Sequence, residues 1–228
     1  DWTQHNNRRW KKKITTFNPT AEYGHNGRFR WILKDIDFGF DLHNENEYKL
    51  NSVEWATRTI DPSEPNFTIL DNSTLLLRGL LENEEYKNYF LNRFADLLNT
   101  TLATDRVLDN LNEFKSVYQP EIEENGSRWN HFSPQLNVWE NHVDVMFSFA
   151  MNRSSYLKNH LIQKFELEGM YDLVLDVSDT THGHIHLNTI DILSSTDGIS
   201  ANPYIWIGSY FKNVPITLKA IAKPGYVF

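Results

Sequence analysis

A chain of 228 residues with 40% apolar and 14% aromatic side chains can bury a sizeable core, which excludes an intrinsically disordered polypeptide. Its net charge of −8, from 30 acidic and 22 basic residues, argues against non-specific nucleic-acid binding. The absence of cysteine excludes disulfides and thiolate metal ligands, and no run of apolar residues is long enough for a membrane span.

In chain order, residues 8–16 and 28–34 predict two strands of a hairpin, joined through Asn18-Pro19, Gly24 and Asn26-Gly27. The basic run Arg8-Arg9-Trp10-Lys11-Lys12-Lys13 reads first as a solvated strand edge guarded against aggregation, and second as a strip facing phosphates or acids. Residues 41–72 are polar, are broken by Asp61-Pro62 and Glu64-Pro65, and predict a long irregular segment. A short apolar helix is expected over 73–82. A stronger one opens at Asn83-Glu84-Glu85 and runs to about Thr101, with Tyr86, Phe90, Leu91, Phe94, Leu97 and Leu98 at helical spacing.

Thr104 is the expected cap of a third helix carrying Val107, Leu108, Leu111 and Phe114. Another starts near Pro120 and is interrupted near Asn125-Gly126; stretches 135–151 and 154–165 complete the helical set. At Glu168-Gly169 the apolar period changes to two, through Leu173, Leu175, Ile185, Leu187, Ile190 and Ile192, then Tyr204–Ile207 and Ile216–Ala222. Residues from about 168 onward therefore predict a small all-β module appended to a helical body, an α+β chain overall.

Two patterns carry chemistry. Asp1-Trp2-Thr3-Gln4-His5-Asn6-Asn7 holds an Asp and, after four intervening residues, an Asn, and Arg30-Trp31-Ile32-Leu33-Lys34-Asp35-Ile36-Asp37-Phe38-Gly39-Phe40 is a strand ending in two carboxylates and Asp-Phe-Gly. In kinase-like phosphoryl transfer an Asp of the first kind orients the attacking hydroxyl, while the Asn and the Asp of Asp-Phe-Gly hold Mg²⁺. On a strand Asp35 and Asp37 share a face, where two close carboxylates repel unless a cation sits between them.

His5 stands in the first loop and is a candidate for proton transfer. His182, His184 and His186 alternate along one strand. Three imidazoles suit zinc, but the leading reading is an exposed polar face. Trp2, Trp10, Trp31, Trp129 and Trp139 are expected as core anchors, and Arg93 and Arg128 as partners of acids.

The segment Trp31–Phe40 closely resembles the Trp-…-Asp-x-Asp-(Phe/Trp)-x-Phe signature of the CotH kinase family, the spore-coat-protein-H-like proteins. Asp1-Trp2, Asn6-Asn7 and Trp10 are similar to that family's preceding loop, although Thr3-Gln4 replace its usual Pro or His, and Asn6 and Asn7 both stay open as the metal-side residue. Arg93-Phe94-Ala95-Asp96-Leu97-Leu98-Asn99-Thr100 resembles its Arg-x-x-Asp-Leu-Leu-Asn-Thr helix; Pro120-Glu121-Ile122, Arg128-Trp129 and Arg153 continue its order. The tail, with Trp206-x-Gly208-x-Tyr210-Phe211 and Pro224-Gly225-Tyr226-x-Phe228, is similar to a divergent repeat-type β module of bacterial surface proteins.

The resemblance implies the C-lobe of an atypical protein-kinase-like fold over 1–168, a short hairpin plus a helical body, with the β module at 169–228. It implies transfer of the ATP γ-phosphate to protein Ser/Thr hydroxyls, with Asp1 catalytic and Asn6 and Asp37, assisted by Asp35, holding Mg²⁺ and nucleotide. It also implies a secreted or cell-surface bacterial protein, an upstream lobe not contained in this chain, and continuation past the C-terminus. Without that lobe the chain alone is expected to be inactive. The competing expectation is a surface-associated binding or structural module that keeps the fold without turnover.

Overall fold

The computed structural model describes residues 7–34, 39–41, 46–59, 71–129 and 135–227. They fall into two compact units, one of residues 1–39 with 56–79, the other of 40–55 with 80–228.

In the first unit the expected hairpin forms. Strands β1 (Asn7–Trp10) and β2 (Arg30–Leu33) pair antiparallel, from Asn7 opposite Leu33 to Trp10 opposite Arg30. Their long connection is organised by two asparagines. Asn18 Oδ1 accepts from the Thr20 N–H at 3.1 Å and the Thr20 hydroxyl at 2.9 Å; the buried Asn26 Oδ1 accepts from the Arg28 N–H at 3.2 Å and Arg30 Nη2 at 2.9 Å. Gly27, at φ 74°, packs so closely on Ile14 that any Cβ there would collide with it.

The polar stretch expected to be irregular contains a 3₁₀ turn, Glu47–Lys49, and a short helix, α1 (Ser52–Thr57). Asn51 Oδ1 accepts the Glu54 N–H at 2.9 Å, a helix-start signal hidden in polar sequence. Helix α2 (Asp71–Leu81) follows. Its Thr74 is fully buried and donates to the Arg58 carbonyl at 3.3 Å.

In the second unit, α3 (Glu84–Leu98) starts as expected, with Asn83 Oδ1 accepting the Tyr86 N–H at 2.9 Å. Helix α4 (Thr104–Tyr118) corrects one expectation: Ala103 is its N-cap and Thr104 its first helical residue. Helix α5 (Ile122–Arg128) runs through Asn125-Gly126 without the expected interruption. The two stretches expected near 135–165 are one helix, α6 (Leu136–Lys164). The polar side chains at the expected break satisfy themselves on the helix's own carbonyls: Asn152 Nδ2 donates to Ser148 O at 2.8 Å and Ser155 Oγ to Asn152 O at 2.9 Å.

Strands β3 (Met170–Leu175), β4 (Gly183–Leu187), β5 (Ile190–Asp191), β6 (Trp206–Phe211) and β7 (Leu218–Ala222) make two antiparallel sheets, β3–β6 and β5–β4–β7. They share one hydrophobic core with the helices. Leu91 and Ala95 of α3 and Leu161 of α6 cluster with Leu175, Leu187, Ile192, Trp206, Tyr210 and Phe211.

The polar face of α3 fastens the strands to the helical body. Asp96, without solvent exposure, accepts from the Tyr210 hydroxyl at 2.8 Å, the Thr189 hydroxyl at 2.6 Å, the Thr189 N–H at 3.0 Å and Asn188 Nδ2 at 3.3 Å. Asn99 meets the backbone of Ser209 twice, donating to its carbonyl at 2.8 Å and accepting its N–H at 2.9 Å. Asn92 donates to Pro215 O at 2.8 Å and Arg93 to the Thr189 hydroxyl at 2.9 Å. Each of these α3 side chains thus has a partner, without which its desolvation would oppose folding.

Candidate functional site

Asp1, Asn6, Asp35 and Asp37, the residues expected to carry chemistry, lie outside the described residues, as do Trp2 and His5. What is described is their attachment. Asn7 opens β1 directly after Asn6, and Leu33, its partner across the ladder, lies two residues before Asp35. The two chain ends from which the Asp-x₄-Asn and Asp-x-Asp-Phe-Gly segments run are therefore hydrogen-bonded neighbours at one end of the hairpin.

In the other unit, the residues that follow Asp-Phe form a strained turn. Phe40 and Asp41 both adopt left-handed backbone, at φ 58° and 61°, and Asn46 does so at 67°. For residues with a Cβ this costs roughly 1–3 kcal/mol each and persists only where the surroundings impose it. The imposition is visible. The Phe40 ring packs on Phe149 of α6 with centroids 5.1 Å apart, and the buried Asp41 accepts the Asn46 N–H through Oδ2 at 3.1 Å. Its Oδ1 is buried without a hydrogen bond, and burial raises the Asp41 carboxyl above the ordinary carboxylate range, with backbone N–H groups opposing.

Arg153 of α6 ties the next segment down. Its guanidinium donates to the carbonyls of Tyr48 at 2.8 Å and Leu50 at 2.7 Å and to the Ser52 hydroxyl at 2.5 Å. Burial lowers its pKa, which the Asp41 carboxylate partly offsets. Two turns of the same helix further on, His160 is buried, and its pKa is lowered by that burial and by Arg153. Lys164 reaches Glu54 at 2.8 Å. The polar side of α6 thus anchors the chain between Phe40 and Glu54, the stretch after Asp-Phe-Gly.

The three-histidine strand departs from the exposed-face expectation. His182 is exposed, 3.3 Å from Asp179 and stacked on Tyr226, but His184 and His186 are partly buried and converge on Asp191 Oδ1 of β5, at 3.2 and 2.8 Å. The β4–β5 register sets His186 opposite Asp191, which periodicity in β4 alone could not reveal. Hydrogen bonds from His186, outweighing burial, hold the Asp191 carboxyl below its usual range. Among the described residues no group of three or more His, Cys, Asp or Glu is arranged to hold a metal ion.

Other expectations change as well. Trp10 and Trp129 are exposed rather than core anchors, each with a guanidinium over its ring, Arg30 at 5.7 Å and Arg128 at 5.7 Å. Trp139 is half-buried, and the side chain of Trp31 lies outside the described set. Among the described residues, Trp206 is the tryptophan that enters the core. Arg93 serves the Thr189–Asp96 network through a hydroxyl rather than an ion pair.

The described residues make an α+β protein of helices and small antiparallel sheets. The sequence matches the family described as CotH kinase protein over residues 1–157, and the chain belongs to that family. No curated protein and no solved structure matches it. Among the described residues, no helix is long and apolar enough to cross a membrane.

Proposed function

We propose that this chain carries the C-lobe portion of an atypical protein kinase that moves the γ-phosphate of ATP to Ser or Thr hydroxyls of a protein, at the cell surface. Membership of the CotH kinase family over a span containing both motifs carries this reading. Asp1 orients the acceptor hydroxyl; Asn6 and Asp37, with Asp35 assisting, are the ligands for Mg²⁺. Carboxylate and amide oxygens are the hard donors that Mg²⁺ takes, and the bound ion would neutralise charge between the phosphates.

The strained Phe40-Asp41 turn supports the same reading from the described residues, because such strain is held where a neighbouring segment must be positioned. On this reading, residues 1–168 correspond to the kinase portion and 169–228 to the β module. The test is phosphate transfer by the full-length polypeptide. Asp1→Ala is expected to lower transfer by about 10²–10⁴-fold with nucleotide binding retained. Transfer undiminished in that variant removes Asp1 from the mechanism. An intact protein that neither binds nucleotide nor transfers phosphate leaves a surface-attached binding module as the account.

A further inference from the structure

The β1–β2 hairpin concentrates positive charge that the rest of the molecule lacks. From Asn7 to Lys34 there are eight Lys or Arg residues and one carboxylate, Glu22, in a chain of net charge −8. All of these cations except Arg30 are exposed. Among the described residues, Arg9, Lys11, Lys12, Lys13, Arg28, Arg30 and Lys34 form no ion pair; Glu22 faces His25 at 3.8 Å. A solvated strand edge would account for scattered lysines. It does not account for the aromatic residues set among them.

Tyr23 is 87% exposed and Phe29 61% exposed, and Phe17 and Trp10 are also open to solvent. Each ring holds a cation. Arg30 lies 4.4 Å from the Tyr23 centroid and 5.7 Å from that of Trp10, Lys11 is 4.7 Å from Phe29, and Arg28 is 5.4 Å from Phe17. Arg30 is fixed further by Asn26 Oδ1 at 2.9 Å and the Arg28 carbonyl at 3.0 Å. Such a surface is organised before any partner arrives, which lowers the ordering cost of binding. Its cations repel one another in the free protein, and an anionic partner relieves that repulsion.

The class of anion follows from the same geometry. A nucleic acid is a long polyanion, and the net charge of −8 over the chain works against it beyond this short strip. The same net charge works against an extended anionic bilayer, whereas a short acidic strand stays within a Debye length of the strip, about 10 Å at 0.1 M salt. Two four-residue strands in a two-stranded sheet also leave backbone groups for an added strand.

We propose that the 7–34 hairpin docks an extended acidic polypeptide segment, its carboxylates on Arg9, Lys11, Lys12 and Lys13 and its apolar side chains against Phe29 and Tyr23. The proposal concerns binding alone and goes beyond phosphate transfer; it holds whether or not the chain turns over.

The experiment is fluorescence anisotropy with a labelled peptide of about 12 residues, alternating Glu with Leu and Phe. Its Lys-for-Glu counterpart, a single-stranded oligo-dT and phosphatidylserine vesicles are run beside it. The glutamate peptide is expected to bind this chain best. Lys11→Glu/Lys12→Glu/Lys13→Glu should weaken it roughly tenfold or more and flatten its salt dependence. Phe29→Ala should weaken it severalfold at constant salt, and the exposed Lys219→Glu on β7 should leave it unchanged. Thermal melts confirm that the variants are folded. Equal binding of the two peptides, a folded triple variant that binds like the wild type, or preference for the oligonucleotide or vesicles overturns the proposal.

Discussion

Asp96 has no contact with solvent, and four donors from β6 and the β4–β5 turn converge on its two oxygens. Removing the carboxylate leaves the buried Tyr210 hydroxyl and the part-buried Thr189 hydroxyl and N–H without their acceptor, at about 1–3 kcal/mol for each such group. Asp96→Ala is therefore expected to lower unfolding stability by about 3 kcal/mol or more, and Tyr210→Phe by about 1–2 kcal/mol, in urea titrations. A loss below about 1 kcal/mol for Asp96→Ala would show that the network does not hold the strands. Burial and the Asp96 carboxylate both push the Tyr210 phenol far above its ordinary range, so it remains a donor at every accessible pH.

Asp191 gives a pH-dependent counterpart at the same scale. Its carboxyl is held below the usual range by His186 and then His184, so the ionised form is favoured in the folded state. The stability it contributes is present above the unfolded carboxyl pKa of about 3.9 and is lost as pH falls through the lower folded value. Wild type and Asp191→Asn should therefore differ in melting temperature at pH 5, and the difference should close as pH falls below about 4. A constant difference across that window would mean that the carboxylate is not coupled to the fold.

Among the elements, α6 holds the stretch that follows Asp-Phe-Gly. Its length was not legible, because Asn152-Arg153-Ser154-Ser155 reads as a polar break until the side-chain bonds back to the helix are seen. Arg153 within that stretch holds three oxygens of residues 48–52. Arg153→Ala should lower stability by about 2–3 kcal/mol and speed amide exchange in 46–57, and Lys should rescue little because it lacks the planar fork. Unchanged exchange there would remove α6 as the anchor of the stretch behind Asp-Phe-Gly. Helix α3, by contrast, was legible from its Asn83 cap and apolar spacing, since both signals are local. The convergence of β4 histidines on Asp191 was not, because it depends on strand register.

For the whole molecule, the change of period at residue 168 located the strands, but periodicity could not show that they share a core with α3 and α6. The apolar faces of Leu91, Ala95 and Leu161 are indistinguishable in sequence from faces that meet other helices. A chain ending at residue 168 should therefore expose those faces, bind hydrophobic dye and aggregate; a soluble, cooperatively melting 1–168 would show that the strands are dispensable. The motif residues themselves were read from type and spacing, and their roles rest on chemistry to be measured.

Mg²⁺-dependent ATP binding to the full-length polypeptide, followed calorimetrically beside Asp37→Ala and Asp1→Ala, tests the kinase account most directly. It predicts binding that requires Mg²⁺, falls at least about tenfold in Asp37→Ala and is retained in Asp1→Ala. ATP binding that ignores both Mg²⁺ and the Asp37 substitution, or no binding by the intact protein, would contradict it.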